Sequence, residues 1–447
     1  MAFLDAESPK AGCPKKPLVA PVVIREMTDS PTPALAAAKR QSWLSLRGWY
    51  MSGCLAVMFL ASVWFWYASR PDLAMTTERG WQAYLEHDMD TVQRQMTIAE
   101  RLDKNSGAAR LLRGAFLLST KDPELALKPL LDASQYPVLR PRALLLAARA
   151  YLDLHQFRAA EQLLSDCVRE DPDAVEAHRL YAAMYYDLGA NPLVIEHLEA
   201  VSRLDPTDAR PLRVIGLMRK DFQDYTAAAA AYRAALNRPI DAPLAAEVRL
   251  ELAQCLAELR KYEESLAALQ PTDQMPEAIA VRMLCFRTLG RMDEARQQAE
   301  LAREISDPPL SLTLELGNYW DAAGDLKQAT LFFERAVQQD RLDFVPRYKL
   351  STIYARQGRT ADAAEQVRQM QKNRERYDRL HALQNQAMRE PYNAAVRYEM
   401  GVAALALDRT EMARVWFTAA IGLDPEHHAA RAALQALESR STTPFEK

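Results

Sequence analysis

The sequence predicts an all-α protein built as a repeating solenoid, and three observations carry that prediction. Only 14 of its 447 residues are glycine, while Ala, Leu, Arg, Glu and Gln dominate, the side chains that lose least on entering a helix. No run of alternating Val, Ile and Thr with turn dipeptides is present to build a sheet. From Thr76 onward one helical pattern returns at a fixed interval, the mark of stacked repeats.

Ahead of the repeats lie two other zones. Residues 1–46 are rich in Pro, Ala and Lys and read as a flexible, disordered cytoplasmic tail. Gly48 to Tyr67, GWYMSGCLAVMFLASVWFWY, runs without a charge. At about 1.5 Å per residue it would span roughly 30 Å, the thickness of a bilayer's hydrocarbon core. Trp49 and Tyr50 at one end, and Trp64, Trp66 and Tyr67 at the other, match an interfacial aromatic belt. The expectation is therefore one transmembrane helix over 47–68, in contact with the lipid bilayer through Gly48–Tyr67. Up to Arg47 seven basic side chains stand against four acidic ones, which favours a cytoplasmic N-terminus. A single-pass membrane protein follows, with its repeats periplasmic or otherwise extracytoplasmic.

The repeat is anchored by a turn residue: His87, Lys121, His155, Gly189, Gln223, Arg260, Gly290, Gly324, Gly358 and Asp408. The recurring step is 34 residues, with 37 and 30 on either side of Arg260 and one period plus a 16-residue insertion before Asp408. Seven residues before the marker a small side chain recurs, as in Gly80, Gly114, Ala148, Ala182, Gly216, Ala253, Gly317, Ser351 and Gly401; Met283 alone departs. Five residues after it come Ala126, Ala160, Ala228, Ala295, Ala329, Ala363 and Ala413. Both are positions where two helix backbones approach closely. Tyr151, Tyr185, Phe286, Trp320, Tyr354, Phe333 and Phe417 fill the wider gaps, and Asp171-Pro172, Asp205-Pro206 and Asp424-Pro425 end repeats. The stretch TLGRMDEARQQAELA shows the logic in one place. Gly290 serves the turn, Asp293 and Glu294 sit in the first turn of the next helix where negative charge suits the dipole, and Ala295 is the contact site.

In its period, its small residue in the first helix, its alanine and aromatic in the second and its closing proline, the chain resembles the tetratricopeptide repeat family over about residues 76–440. The resemblance implies a right-handed helix-turn-helix solenoid of about ten repeats. An insertion at 369–391 lengthens the second helix of the ninth repeat or adds a helix before the tenth, and a capping helix is expected over 426–440.

The net charge of −3 gives no electrostatic case for nucleic acid. Five scattered cysteines make neither a disulfide framework nor a zinc motif. Cys255 and Cys285 occupy equivalent positions on neighbouring first helices, too far apart to bridge. His427-His428 reads as an exposed helix start, since adjacent residues diverge on a helix. No nucleophile, phosphate-loop, dinucleotide or zinc-protease motif is present, so no enzyme and no cofactor is expected.

What the resemblance leaves is a concave groove lined by first helices, which in the family holds a peptide or helix of a client protein. Carried over by register, its candidates here are Arg149, Arg179, Tyr186, Arg210, Arg213 and Lys220, with Tyr348 and Tyr398 in later repeats. A basic stretch of this kind suits an acidic or C-terminal peptide. Asp153, Glu176, Asp187 and Asp221 fall close enough to neutralise much of it. The expected function is a non-catalytic, membrane-anchored scaffold for the assembly or escort of envelope or membrane complexes. A cytoplasm-facing regulatory adaptor and an envelope glycan-binding or enzymatic protein stand as alternatives.

Overall fold

The computed structural model describes residues 72–269 and 275–441. All the regular structure in them is helical, arranged as ten helix pairs and a final helix. The first pair, α1 (Leu73–Leu85) and α2 (Met89–Asp103), belongs to a unit ending at Lys104. A second unit begins at Asn105 and holds everything after it. Its pairs are α3 (Gly107–Ser119) with α4 (Pro123–Ala133), α5 (Arg140–Asp153) with α6 (Phe157–Glu170), and α7 (Val175–Asp187) with α8 (Asn191–Leu204). Next come α9 (Arg210–Asp221) with α10 (Tyr225–Leu236), α11 (Ala242–Glu258) with α12 (Tyr262–Ala268), and α13 (Pro276–Thr288) with α14 (Met292–Ala302). The series ends with α15 (Leu310–Ala322) and α16 (Leu326–Gln339), α17 (Phe344–Arg356) and α18 (Thr360–Arg389), α19 (Ala394–Ala406) and α20 (Thr410–Leu423), and the terminal α21 (His428–Ser441). Within the second unit each helix packs mainly on its partner and on the adjoining pair, as a solenoid requires.

The transmembrane expectation is corrected. Among the described residues no helix is long and apolar enough to cross a membrane, while the tail 1–46 and the stretch Gly48–Tyr67 lie outside them. The longest helix, α18, has 30 residues and so the length to span a bilayer, but it carries charged side chains along its whole course, which hydrocarbon does not tolerate. The preceding membrane helix, the single-pass localisation and the bilayer contact are accordingly dropped; the helical solenoid stands. The inserted residues continue α18, whose C-terminus is held by Arg397. This guanidinium is fully buried and donates to the carbonyls of Pro391 (2.7 Å), Ala387 (3.3 Å) and Glu390 (3.4 Å). Burial lowers its pKa to about 10, still far above neutrality.

Within a repeat, packing is set by one pair of positions. A Cβ added to Gly114 would come within 2.3 Å of Leu130, to Gly216 within 2.5 Å of Tyr232, to Gly317 within 2.7 Å of Phe333 and to Gly401 within 2.4 Å of Phe417. In each case the large residue lies sixteen positions later and is completely buried. The first helix surrenders its side chain so that the second can fill the space. Met283, the sequence's exception, is the same arrangement inverted: the residue sixteen positions on is Ala299, and both lie in one buried cluster. Volume is conserved across the contact, as a close-packed interior demands.

The ten marker residues are the ten positive-φ residues among those described, from Asp408 at 54° to Gly324 at 84°. In all ten repeats the marker N–H donates to the carbonyl three residues back, and the next N–H donates to the carbonyl five residues before itself. In the seventh repeat these are Gly290 to Arg287 at 3.1 Å and Arg291 to Phe286 at 2.8 Å. A left-handed residue with this bond pair is the Schellman closure of a helix, and it frees the chain to reverse into the second helix. Four markers are glycines; six carry side chains in a backbone region that costs an L-residue ~1–2 kcal/mol. Lys121 is exposed with φ 64°, so Lys121→Gly is expected to raise stability by about 1 kcal/mol. A Cβ on Gly290 meets nothing within 4 Å, so Gly290→Ala isolates the strain alone and is expected to lose about the same amount. Urea titration of both variants measures the pair.

Candidate functional site

The first helices present the groove positions, and the structure shows what most of their charges are doing. Arg179 on α7 reaches Asp205 and Asp208, each at 3.1 Å, and Glu176 at 3.2 Å. Arg210 on α9 grips the same Asp208 with two nitrogens at 2.8 and 3.1 Å. Burial opposes ionisation of Asp208, but hydrogen bonds from Arg210 and the two guanidinium charges outweigh it, and its carboxyl is held below the usual range. Arg213 spans to the next repeat, 2.7 Å from Glu247 and 2.8 Å from Glu251. Lys220 donates to Gln254 at 3.0 Å. Further along, Arg287 pairs with Glu315 at 3.2 Å and Arg356 with Asp321. The arginines are thus joints between neighbouring repeats.

The carboxylates at the ends of the first helices behave differently. Asp153, Asp187 and Asp221 stand 34 residues apart at one register, two before the marker, and make no salt bridge among the described residues. Burial raises the pKa of all three, with Arg149 moderating Asp153 and Lys220 moderating Asp221. Asp221 is nevertheless open to solvent. Tyr186 lies between them, 53% exposed, its hydroxyl pushed up by burial and then by Asp221 and Asp187.

Models of the tetratricopeptide repeat match residues 145–209, 216–271 and 394–427. The chain carries tetratricopeptide repeats. No curated protein matches it. Among solved structures, a tetratricopeptide repeat protein from Parabacteroides merdae is 16% identical, with 55% of this chain and 98% of that chain covered and a TM-score of 0.36. The C-terminal part of a repeat-containing protein from Cytophaga hutchinsonii is 14% identical over 61% and 99%, at 0.40. PilF of Pseudomonas aeruginosa is 16% identical over 48% and 97%, at 0.36. Likenesses at these scores assign no function.

The remaining candidates divide. Arg149 is half-buried on α5 beside Asp153. Tyr348 is 56% exposed on α17 and free to meet a ligand. Tyr398 instead packs into the tenth tetratricopeptide repeat, its ring 5.8 Å from Phe417 and 5.1 Å from His427. His427 accepts from the Ala430 N–H at 3.2 Å and so caps α21. Cys255 and Cys285 are both free and buried, and Cys285 donates to Ser265. What the register did not reveal were the arginines' partners Asp205, Asp208, Glu247 and Glu251. Asp205 is the aspartate of a repeat-closing Asp-Pro and Asp208 follows it in the same loop, where Asp205 also accepts from the Thr207 N–H.

One buried polar pair escaped the sequence reading altogether. His178 on α7 and His197 on α8 meet Nδ1 to Nδ1 at 3.0 Å, and His178 Nε2 lies 3.2 Å from the carbonyl of Pro172. A carbonyl only accepts, so His178 donates from Nε2 and receives the His197 Nδ1–H at its other nitrogen. His197 stacks on Tyr181 with ring centroids 4.4 Å apart. Burial, and then the neighbouring His178, lower its pKa from 6.5 to about 4. Because the folded protein resists a proton that the unfolded chain accepts, stability is expected to be full above pH 6.5 and to fall as the pH drops towards 4. Thermal melts across that window measure the fall. His197→Phe, which keeps the stack and cannot titrate, is expected to flatten it.

Proposed function

We propose that the chain is a non-catalytic scaffold whose concave face holds a segment of a client protein, and that the segment it takes is cationic. The observation that supports this is the division of charge just described. The arginines that would attract an acidic peptide are already engaged with the protein's own carboxylates, so recruiting them for a ligand would leave buried Asp208 and Glu251 without partners. Asp153, Asp187 and Asp221 instead run along three consecutive first helices, partly desolvated and open to a ligand, with Tyr186 among them as an aromatic surface for a lysine or arginine stem. Desolvated carboxylates gain more from an incoming cation than fully hydrated ones do. The sign of the preferred partner is therefore the reverse of what the run of basic residues in the sequence suggests. The envelope role expected above depended on a membrane anchor and is not carried forward.

Binding of a synthetic Lys/Arg-rich peptide to the full chain, beside its Glu-substituted counterpart, tests this. The basic peptide is expected to bind, more weakly as salt rises, and the acidic one not. At about 0.5 kcal/mol for each exposed charge pair, replacing Asp153, Asp187 and Asp221 together with Asn is expected to weaken binding by roughly tenfold. Tighter binding of the acidic peptide, or an unchanged affinity in the triple variant, would contradict the reading.

A further inference from the structure

Within the second unit the solenoid meets itself. Helix α20 of the tenth repeat lies against α6 and α7, from the third and fourth. A Cβ on Gly422 would fall 2.4 Å from the carbonyl oxygen of His155 and 3.0 Å from the Phe157 ring. Gly189, at φ +65°, leaves room for the Trp416 ring, which a Cβ there would approach to 2.8 Å. Ala419 is buried in the same apolar cluster as Phe157, Leu188 and Ala190, with Leu423 and Tyr392 packed on it. The Tyr392 hydroxyl is buried close to Glu161 and Tyr185, and Tyr185 donates to Glu161 at 3.0 Å.

The repeat register shows that this surface departs from its siblings. Gly422 lies fourteen residues after its marker; at that position the other repeats carry Arg101, Gln135, Arg169, Arg203, Asn237, Gln274, Glu304, Gln338 and Lys372. Ala419 lies eleven after, where the second and third repeats have Asp132 and Asp166 and the fourth and fifth have Ala200 and Ala234. The departure is therefore at Gly422: a position that is polar in every other repeat is a glycine in the tenth, and another repeat sits on it. A glycine inside a helix costs ~1 kcal/mol against alanine, and the close approach to His155 supplies its reason.

We propose that this contact is a releasable latch, by which the tenth repeat holds the third and fourth and the superhelix passes between a closed and an open form. The geometry favours release over permanent closure on two counts. The contact is made by one helix and the Tyr392 side chain, and it leaves the buried indole N–H of Trp416 without an acceptor. The curvature that brings its sides together is the sum of small rotations over the intervening repeats, each of which need change little for the latch to part. Closed, α20 stands at His155, two residues beyond Asp153. The latch then controls access to that end of the groove, a consequence that rests on the groove reading above.

Single-molecule energy transfer on the full chain, between dyes placed through non-natural amino acids at the exposed positions Arg158 and Glu411, tests the latch without any ligand. The wild type is expected to show a near and a far population. Gly422→Arg restores the side chain that Arg169 and Arg203 carry in register, so α20 keeps its helix, and it is expected to leave only the far population. Ala419→Asp, patterned on Asp132 and Asp166, is expected to do the same. A single population in the wild type, or a near population that survives both substitutions, would overturn the latch. Association of the Lys/Arg-rich peptide is expected to be faster in Gly422→Arg. Equal rates would remove the control of access, and no binding to either protein would count against the groove reading while energy transfer decides the latch.

Discussion

The architecture depends on one shared space within each repeat: the volume between a residue seven before the turn and a residue nine after it. In four of the five repeats where the first is glycine, the second is Leu130, Tyr232, Phe333 or Phe417, each fully buried; the exception is the first repeat, where Gly80 is matched in register by the half-buried Met96. Where the first is methionine, the second is Ala299. The two helices of a repeat can approach only as far as that sum of volumes allows, and the stacking of one repeat on the next inherits the result. The Schellman closure supplies the other half of the constraint, because it brings the chain back at a fixed angle whether or not the turn residue is a glycine.

Much of this was legible because it is local and recurs. All ten turn residues marked from the period are the positive-φ positions, and Ala126, Ala160, Ala228, Ala295, Ala329 and Ala413 are completely buried. The features that were not legible are those the period does not encode. Arg213 finds Glu247 and Glu251 on the next repeat, and nothing in either helix alone says which way the guanidinium will reach. Arg397 is fully buried to hold the end of α18, and the repeat pattern does not say that its guanidinium turns inward. The contact of Gly422 with His155 spans most of the unit and follows from accumulated curvature rather than from any stretch of sequence. The apolar stretch Gly48–Tyr67 shows the opposite limit, since its composition suggested a membrane span and no described helix provides one.

For the groove, the lesson concerns charge. A run of basic residues on first helices reads as a receptor for anions only while its partners are unknown. Once Asp205, Asp208, Glu247 and Glu251 are in place, the basic side chains become joints between repeats. The carboxylates left without a salt bridge on those first helices are Asp153, Asp187 and Asp221, which is why the proposed ligand is cationic.

The measurement that bears most directly on the packing account is a double-mutant cycle at the eighth pair of the helices, with Gly317→Met and Phe333→Ala made singly and together, which installs the inverted arrangement seen at Met283 and Ala299 in the seventh. The first alone overfills the space and is expected to lose ~1–3 kcal/mol; the second alone leaves a cavity and is expected to lose ~3–5 kcal/mol. Together they are expected to recover at least ~2 kcal/mol of the summed loss, because each occupies the volume the other vacates. Losses that add to within ~0.5 kcal/mol would show that the two positions do not share a space, and would contradict the account.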